Sequence, residues 1–210
     1  MLRMIENPLQ KALRGHKIVL GSGSPRRRAY LEELGLEFEV RVKEVDETHP
    51  EDLQGRQISE YLSRLKAIPH REGLGPKEIL ITSDTVVWHR GVSLAKAPDR
   101  EGAVEMLQTL SGDSHQVITT VCCTTRELQR TETAVTEVKV RELSREEIEY
   151  YVEKYKPYDK AGAYGIQEWI GLVGIEEIQG SYPNVVGLPT HLLYQTLMEL
   201  CSGETNGARE

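Results

Sequence analysis

The sequence predicts an α/β fold, a single domain with two lobes around a central mixed sheet. A short apolar run at residues 17–21 is followed by a tight loop and a capped helix, which is the start of a strand–helix unit. Amphipathic helical stretches recur further along the chain. Two neighbouring stretches rich in Val and Thr, residues 114–128 and 130–143, predict an antiparallel pair of strands. Parallel and antiparallel pairing in one chain indicates a mixed sheet.

The chain shows no repeat and no linker long enough to divide it. Its 210 residues, 39% of them hydrophobic, are enough for one sizeable core. We therefore expect one domain over residues 1–210, with residues 1–16 and 202–210 peripheral to it.

The charge and the apolar pattern restrict the class of protein. A net charge of -7 argues against a general nucleic-acid binder, because such binding depends on excess Lys and Arg. No stretch approaches the roughly 20 apolar residues of a membrane span, and the first ten residues lack an apolar signal core. Three cysteines without metal-ligand spacing favour reduced thiols. We expect a soluble, cytoplasmic protein that binds neither membrane nor nucleic acid.

The first long helix has clear boundaries but an unusual charge. Ser24 fits the N-cap, Pro25 the first helical position and Gly35 the C-terminal stop. Residues 26–28 are then three arginines in the first turn, where the helix dipole disfavours each cation by roughly 0.3–1 kcal/mol. We expect an anionic ligand to neutralise them, so that replacing Arg26 or Arg27 leaves the ligand-free protein no less stable.

The next segments alternate between extended, polar and helical patterns. Residues 37–40 predict a short strand, and residues 44–55 an acidic loop. Apolar residues then recur at helical spacing and predict a buried stripe: Ile58, Tyr61, Leu62, Leu65 and Ile68.

Residues 78–95 predict a buried strand, a polar interruption and a short hairpin that turns at Arg90 and Gly91. This places Asp84 at the end of a strand.

The C-terminal half carries further start and stop signals. Asp99 predicts the N-cap of a helix that ends at Leu110, and Ser144 with Glu147 predicts a capping box. Residues 170–178 predict another strand. Pro189 opens a final helix, after which residues 201–210 predict a disordered tail.

Residues 21–28 favour phosphate, although ordinary nucleotide motifs are absent. The chain has no Walker loop, and the third glycine of a dinucleotide fingerprint is missing. Backbone N–H groups, hydroxyls and guanidinium groups nevertheless suit phosphate oxygens. A capped surface helix with solvated arginines is an equally good interpretation of this segment alone.

Four other charged residues are individually unspecific. Asp84 can cap a turn, Glu47 lies in an acidic loop and Lys66 suits a helix end. Lys96 has no helix to explain it.

Taken together and in order, seven segments resemble the Maf, or septum formation, family of nucleoside triphosphate pyrophosphatases. They are SGSPRR, VDE, RLKA, SDTVV, AKAPDREGAVEMLQTLSGDSHQV, DKAGAYGIQ and GSYPNVVGLP. The resemblance runs from about Lys17 to Leu200. It implies hydrolysis of a nucleoside triphosphate to the monophosphate and pyrophosphate with a divalent metal, in a homodimeric enzyme whose fold is like that of the inosine triphosphatases.

The resemblance also implies roles for particular residues. The implied active-site set, with Asp84 as proton acceptor, consists of Ser22, Arg26, Arg27, Glu47, Lys66, Asp84 and Lys96. The implied specificity residues are Arg27, Thr85 and Gln167. SPRR, DT and KAGAYGIQ match the branch that acts on dTTP and UTP. An enzyme directed at 7-methyl-GTP or inosine triphosphate remains the alternative, as does a non-catalytic nucleotide sensor or nucleic-acid-binding regulator of division.

The chain departs from the family pattern at a few positions. Gly21 replaces the usual Ala, while Ala95 and Ala97 flank Lys96 where Gly and Pro are usual. Glu168 follows Gln167 where Gly is common, so we expect a carboxylate beside the base-reading amide.

The residue types fit the implied chemistry. Asp84 and Glu47 supply hard oxygen ligands for Mg²⁺ or Mn²⁺, and Asp84 can also accept a proton from water. Four cations, Arg26, Arg27, Lys66 and Lys96, face the negative charge of a triphosphate, with Ser22 as a further donor. The amide of Gln167 can match the edge of uracil or thymine. This fits the substrates that the resemblance implies, dTTP and UTP, to which we add modified pyrimidine nucleotides.

Overall fold

The computed structural model describes residues 5–202, which contain one mixed β-sheet with helices packed against it. The strands are β1 (Lys17–Leu20), β2 (Phe38–Val40), β3 (Glu78–His89), β4 (Val92–Leu94), β5 (Ser114–Thr124), β6 (Gln129–Val140) and β7 (Ile175–Gln179). The α-helices are α1 (Pro8–Ala12), α2 (Pro25–Glu33), α3 (Arg56–Ala67), α4 (Arg100–Leu110), α5 (Arg145–Tyr155), α6 (Trp169–Gly174), α7 (Tyr182–Val186) and α8 (Thr190–Ser202). A 3₁₀ helix, Ile68–Gly73, follows α3.

The sheet has the order β2-β1-β3-β5-β6-β7, and β4 pairs with β3. The pairs β2–β1 and β1–β3 are parallel, whereas β3–β5, β5–β6 and β6–β7 are antiparallel. The predicted α/β fold with a central mixed sheet is therefore confirmed, as is the antiparallel pairing of the two Val- and Thr-rich stretches.

Strand β3 runs well beyond its parallel neighbour. The register of β1 with β3 ends at Leu20 opposite Ile81, but β3 continues to His89. Along this extension β5 still pairs with β3, and β4 joins it only from Val87 onward. Between Ile81 and Val87, the edge of β3 opposite β5 therefore has no strand partner within the described chain. This unpaired stretch of β3 forms one wall of a cleft.

Asp84 lies in the middle of β3, so the prediction of a strand end at this residue is wrong. The polar residues do not interrupt the strand because the facing strand is also polar here. Asp84 lies opposite Thr120 and Thr85 opposite Thr119. The Thr85 and Thr119 hydroxyls are 3.1 Å apart, which satisfies polar groups inside the sheet.

Two large apolar clusters pack against the sheet. One joins α2 and α8 to β1 and β3 through Leu31, Leu193 and Ile81. The other brings together α4 and α5 through Leu107 and Tyr151. The core of the described residues thus has two main centres on one sheet.

The apolar stripe predicted for α3 is only partly correct. Ile58 and Leu62 are buried, but Tyr61 and Ile68 are 38% and 58% exposed. Serines face the sheet instead: the Ser59 hydroxyl is 2.7 Å from that of Thr120. Small polar residues fit here because the helix packs closely on strands whose inner residues are threonines.

Local capping signals predicted the helix ends correctly. The side chain of Ser24 accepts a hydrogen bond from the N–H of Arg27, and that of Asp99 accepts one from Gly102. Ser144 and Glu147 form the capping box.

Other local predictions need correction. The apolar residues 170–178 are not one strand, because residues 169–174 form α6 before β7 begins. A short apolar run cannot by itself distinguish a buried strand from a helix. Helices α1 and α7 were not predicted. In the predicted tail, Cys201 and Ser202 end α8, and residues 203–210 lie outside the described part of the chain.

The remaining general expectations concern membranes and thiols. Within residues 5–202, no helix is long and apolar enough to cross a membrane. Cys122, Cys123 and Cys201 are all free thiols, and the first two are buried.

An ion pair at the start of β3 makes stability depend on pH. Both guanidinium N–H₂ groups of Arg41 contact the carboxylate of Glu78, at 3.2 Å each. The hydrogen bonds from Arg41, followed by one from Gly75, lower the pKa of Glu78 from its ordinary 4.5 to about 2. The folded state therefore favours the ionised carboxylate, and its stabilising effect is present above about pH 4.5 and is lost as the pH falls towards 2.

We expect Glu78→Gln to lower the melting temperature at pH 7, and the difference from the wild type to shrink between pH 4.5 and pH 2. Thermal unfolding followed by circular dichroism measures this. Glu105→Gln removes an exposed carboxylate from α4 and serves as the control. A difference that stays constant from pH 7 to pH 2 would contradict the ion pair as its cause.

Candidate active site

A cleft of about 920 Å³ opens where β3 runs past the end of β1. Loops from both halves of the sheet surround it. All nine residues that the sequence analysis selected line this cleft: Ser22, Arg26, Arg27, Glu47, Lys66, Asp84, Thr85, Lys96 and Gln167. The structure thus brings them together, while their individual roles stay predictions.

One ammonium group lies between the two carboxylates of the cleft. Lys66, at the end of α3, places its Nζ 2.6 Å from Oδ1 of Asp84 and 3.0 Å from Oε2 of Glu47. Asp84 is nearly buried, with 9% of its side chain exposed, whereas about half of the Glu47 side chain is exposed. Asp84 is therefore fixed by the strand and by Lys66, and Glu47 lies on the solvent side of the same cation.

Arg27 is held by the protein itself. Its Nε donates to the carbonyl of Gly187 at 2.9 Å, and its Nη1 donates to the carbonyl of Ser83 at 2.8 Å. Further contacts join Nη1 to the hydroxyl of Ser22 and Nη2 to that of Thr85, at 3.2 and 3.3 Å. Burial lowers the pKa of Arg27. The guanidinium therefore cross-links helix, strand and loop.

Arg26 and Arg28 differ in their surroundings. Arg26 donates from Nε to the carbonyl of Val186 at 3.2 Å, and its Nη1 lies 3.4 Å from the Asp159 carboxylate. Arg28 is exposed and lies outside the cleft lining. The expectation that only an external anion compensates these first-turn cations needs correction, because carbonyls and a carboxylate of the chain already contact two of the three.

Lys96 reaches the cleft from the loop after β4. Its backbone pairs with that of Ala161 in an isolated antiparallel bridge, which fixes the loop against the Gly-rich segment. The side chain is exposed, and no carboxylate within residues 5–202 pairs with its ammonium. Lys96 is therefore available to an anionic ligand.

Gln167 extends from the Gly-rich loop and is exposed within the cleft lining. Gly162 and Ala163 both adopt left-handed backbone conformations, with φ of 71° and 54°, and Ala163 does so while fully buried. Tyr164 packs inside, and its hydroxyl lies 2.8 Å from Nε2 of His115. The loop thus buries one face and presents Gln167 on the other.

The carboxylate of Glu168, which the sequence places next to Gln167, has partners within the protein. Its carboxylate lies 3.2 Å from Nζ of Lys160 and accepts a hydrogen bond from the hydroxyl of Tyr151. Lys160 in turn contacts Asp159 at 2.8 Å. The sequence analysis did not select Asp159 and Lys160 as candidate site residues. Their position as a consecutive Asp–Lys pair before the Gly-rich loop is the signal that could have identified them.

The donor set fits a divalent cation that shares its coordination with a ligand. Within the described chain, no group of three or more His, Cys, Asp or Glu side chains could hold a metal alone. The carboxylates of Asp84 and Glu47 nevertheless lie close enough together that both contact the ammonium of Lys66. Mg²⁺ is typically bound by one or two carboxylates together with substrate phosphates. The two carboxylates therefore suit such a cation, although they do not form a complete cage.

The comparisons with known proteins match most of the chain. The family model described as Maf-like protein matches residues 17–200. The dTTP/UTP pyrophosphatase of Bacteroides fragilis is 52% identical over 186 residues, which cover 88% of this chain and 96% of that protein. The dTTP/UTP pyrophosphatase of Bacteroides thetaiotaomicron is 53% identical with the same coverage, and that of Christiangramia forsetii is 48% identical over 91% of this chain and 98% of that protein.

A solved structure shares a weaker likeness. The nucleoside-triphosphatase / dITP/XTP pyrophosphatase from Mycobacterium abscessus superposes with a TM-score of 0.44 and 14% identity, over 90% of this chain and 98% of that one. A likeness at this level carries no argument about the site.

We expect Arg27→Met to destabilise the ligand-free protein, contrary to the expectation from the helix dipole. Losing the guanidinium leaves the carbonyls of Ser83 and Gly187 without this donor, and unsatisfied buried acceptors cost about 1–3 kcal/mol each. The melting temperature should fall by on the order of 5–10 °C. Arg28→Met, the exposed neighbour, is the matched control and should change it by less than about 2 °C. Equal melting temperatures for both variants would contradict the cross-linking role.

Proposed function

The chain belongs to the Maf family, and we propose that it hydrolyses dTTP and UTP to the nucleoside monophosphate and pyrophosphate. The observation that carries this proposal is the gathering of all nine selected residues in one cleft. The relatives named as dTTP/UTP pyrophosphatases, at about half identity over nearly their whole length, support the choice of substrate. From the family resemblance we also propose a cytoplasmic homodimer.

The phosphates bind to the cationic side of the cleft. Lys96 is free to contact them, and Arg26 can exchange its long contact with Asp159 for a phosphate oxygen. Arg27 contributes by holding the hydroxyl of Ser22 in place. Its own N–H groups already donate to other parts of the protein. The exposed Lys96 and the loosely paired Arg26 therefore receive the triphosphate, beside an Arg27 that the protein holds in place.

Asp84 is the general base for the attacking water. Its backbone lies in a strand and its side chain is nearly buried, so its position is well defined. Lys66 orients it through a 2.6 Å contact and can also stabilise negative charge on the reacting phosphoryl group. General bases of this kind contribute about 10²–10⁴ in rate.

Asp84 and Glu47 are the residues that would hold Mg²⁺ or Mn²⁺. The cation, when bound, polarises the phosphoryl group and neutralises part of its charge. The ammonium of Lys66 keeps the two carboxylates near one another in the ligand-free protein.

Gln167 reads the base. An amide both donates and accepts, so it can pair with the N3–H and a neighbouring carbonyl of uracil or thymine. The ammonium of Lys160 contacts the carboxylate of Glu168 and offsets its negative charge near this edge.

We expect Asp84→Asn to reduce kcat for UTP by on the order of 10²–10⁴ while the protein remains folded, because an amide does not accept the proton. Pyrophosphate release measures kcat, and circular dichroism verifies the fold. Asp52→Asn removes an exposed carboxylate from the same acidic loop region as Glu47 and is the control. Near wild-type kcat in folded Asp84→Asn would refute the role of this residue.

We expect Gln167→Ala to reduce the preference for UTP and dTTP over GTP and ATP by about ten- to a hundredfold in kcat/KM, since hydrogen bonds to the base are lost. The measurement is pyrophosphate release from UTP, dTTP, CTP, GTP and ATP. Gln108→Ala, which removes an exposed amide from α4, is the control. If Gln167→Ala loses the same factor on all five substrates, Gln167 reads no base.

A further inference from the structure

The loop that presents Gln167 is fastened from below by one hydroxyl. Tyr151 on α5 is fully buried, and its hydroxyl accepts a hydrogen bond from the N–H of Gly165 at 2.9 Å. The same hydroxyl donates to the carboxylate of Glu168. Burial, together with the hydrogen bond to Glu168, raises the pKa of Tyr151 well above its ordinary range, so the phenol keeps its proton. A single group thus holds two points of the loop on either side of Gln167.

The side chains of Gln167 and Glu168 both pack against Gly165. A Cβ at this position would lie 2.9 Å from Cδ of Glu168 and 3.1 Å from Nε2 of Gln167. The amide is therefore confined by the same backbone residue that Tyr151 and Glu168 fix. The side chains of Gln167 and Glu168 are therefore close neighbours at Gly165.

Alternating charges connect this loop with the phosphate side of the cleft. The carboxylate of Glu168 contacts Lys160, Lys160 contacts Asp159, and Asp159 contacts Arg26. The side chains of Lys160 and Glu168 are only 10% and 18% exposed, so their contact is poorly screened by water, whereas Asp159 is 61% exposed. Asp159 shares its charge between two cations, and loss of Lys160 would leave it to Arg26 alone.

We propose that Glu168 is a positioning residue for base selectivity: with Tyr151 it fixes Gly165 and the amide of Gln167, and through Lys160 and Asp159 it connects this loop to Arg26. This inference deepens the proposed pyrophosphatase activity on dTTP and UTP, and it rests on that proposed function. Glu168 touches no substrate in this scheme. Its effect is on where Gln167 lies when a base enters.

The test compares selectivity with phosphate affinity. We measure kcat/KM for UTP and GTP by pyrophosphate release, and the inhibition constant of inorganic triphosphate, which lacks a base. The variants are Glu168→Ala, Glu168→Gln, Tyr151→Phe and Lys160→Met. Glu149→Gln breaks an exposed ion pair with Arg145 on α5 and is the control.

Glu168→Ala and Tyr151→Phe should lower the UTP-to-GTP ratio of kcat/KM about tenfold, mainly through KM for UTP, and leave the triphosphate inhibition constant within about twofold. Glu168→Gln retains an acceptor for the Tyr151 hydroxyl and should stay within about threefold of the wild-type ratio. Lys160→Met should in addition raise the triphosphate inhibition constant about fivefold, because Asp159 then competes for Arg26.

Equal losses on UTP and GTP, or an unchanged ratio in both Glu168→Ala and Tyr151→Phe, would overturn the inference. If Glu168→Ala does not fold, Tyr151→Phe decides, since it keeps the aromatic ring. If the wild type releases pyrophosphate from no triphosphate, the proposed function fails instead. The ratio of UTP and GTP dissociation constants from calorimetry, measured on the same variants, then decides whether Glu168 positions the loop.

Discussion

The geometry of the cleft depends on one partly buried guanidinium. Arg27 belongs to the first turn of α2, yet it hydrogen-bonds to the carbonyl of Ser83 on β3 and to that of Gly187 before α8. A cation largely withdrawn from water requires bonded donors, so these segments have to meet at fixed distances. Arg26 and Asp84, for which we propose roles in phosphate binding and catalysis, project from the segments that this group joins.

Charges of opposite sign alternate around the cleft. Lys66 lies between Glu47 and Asp84, and Asp159 lies between Arg26 and Lys160. In the ligand-free protein, these carboxylates offset the repulsion between cations that lie close together in the cleft. In the proposed function, a bound triphosphate supplies to Arg26 the negative charge that Asp159 provides in the ligand-free protein. Binding would then exchange one anionic partner of Arg26 for another.

Features set by neighbours in sequence could be predicted, and those set by distant partners could not. The caps at Ser24 and Asp99 follow from one turn of chain. Asp84 was misplaced because the threonines that support it lie on β5, and the partners of Arg27 lie 56 and 160 residues away. Considered one at a time, residues such as Asp84, Glu47 and Lys66 could each be explained by a structural role such as capping a turn or lying on a solvated surface. Only the ordered resemblance selected the set of residues that the structure brings into one cleft. Because Glu168 departs from the family pattern, the resemblance gave no indication of its contacts with Lys160 and Tyr151.

Asp84 and Gln167 both line the cleft, but different kinds of structure hold them in place. Asp84 lies on the uncovered stretch of a strand that β5 holds along its length, so its position cannot shift without breaking the sheet. Gln167 lies on a loop held by a few side chains. With the role that we propose for Gln167, substitutions in that loop change which nucleotide is accepted while the strand that carries Asp84 stays intact. Substrate choice and hydrolysis would then depend on segments of the chain that can vary separately.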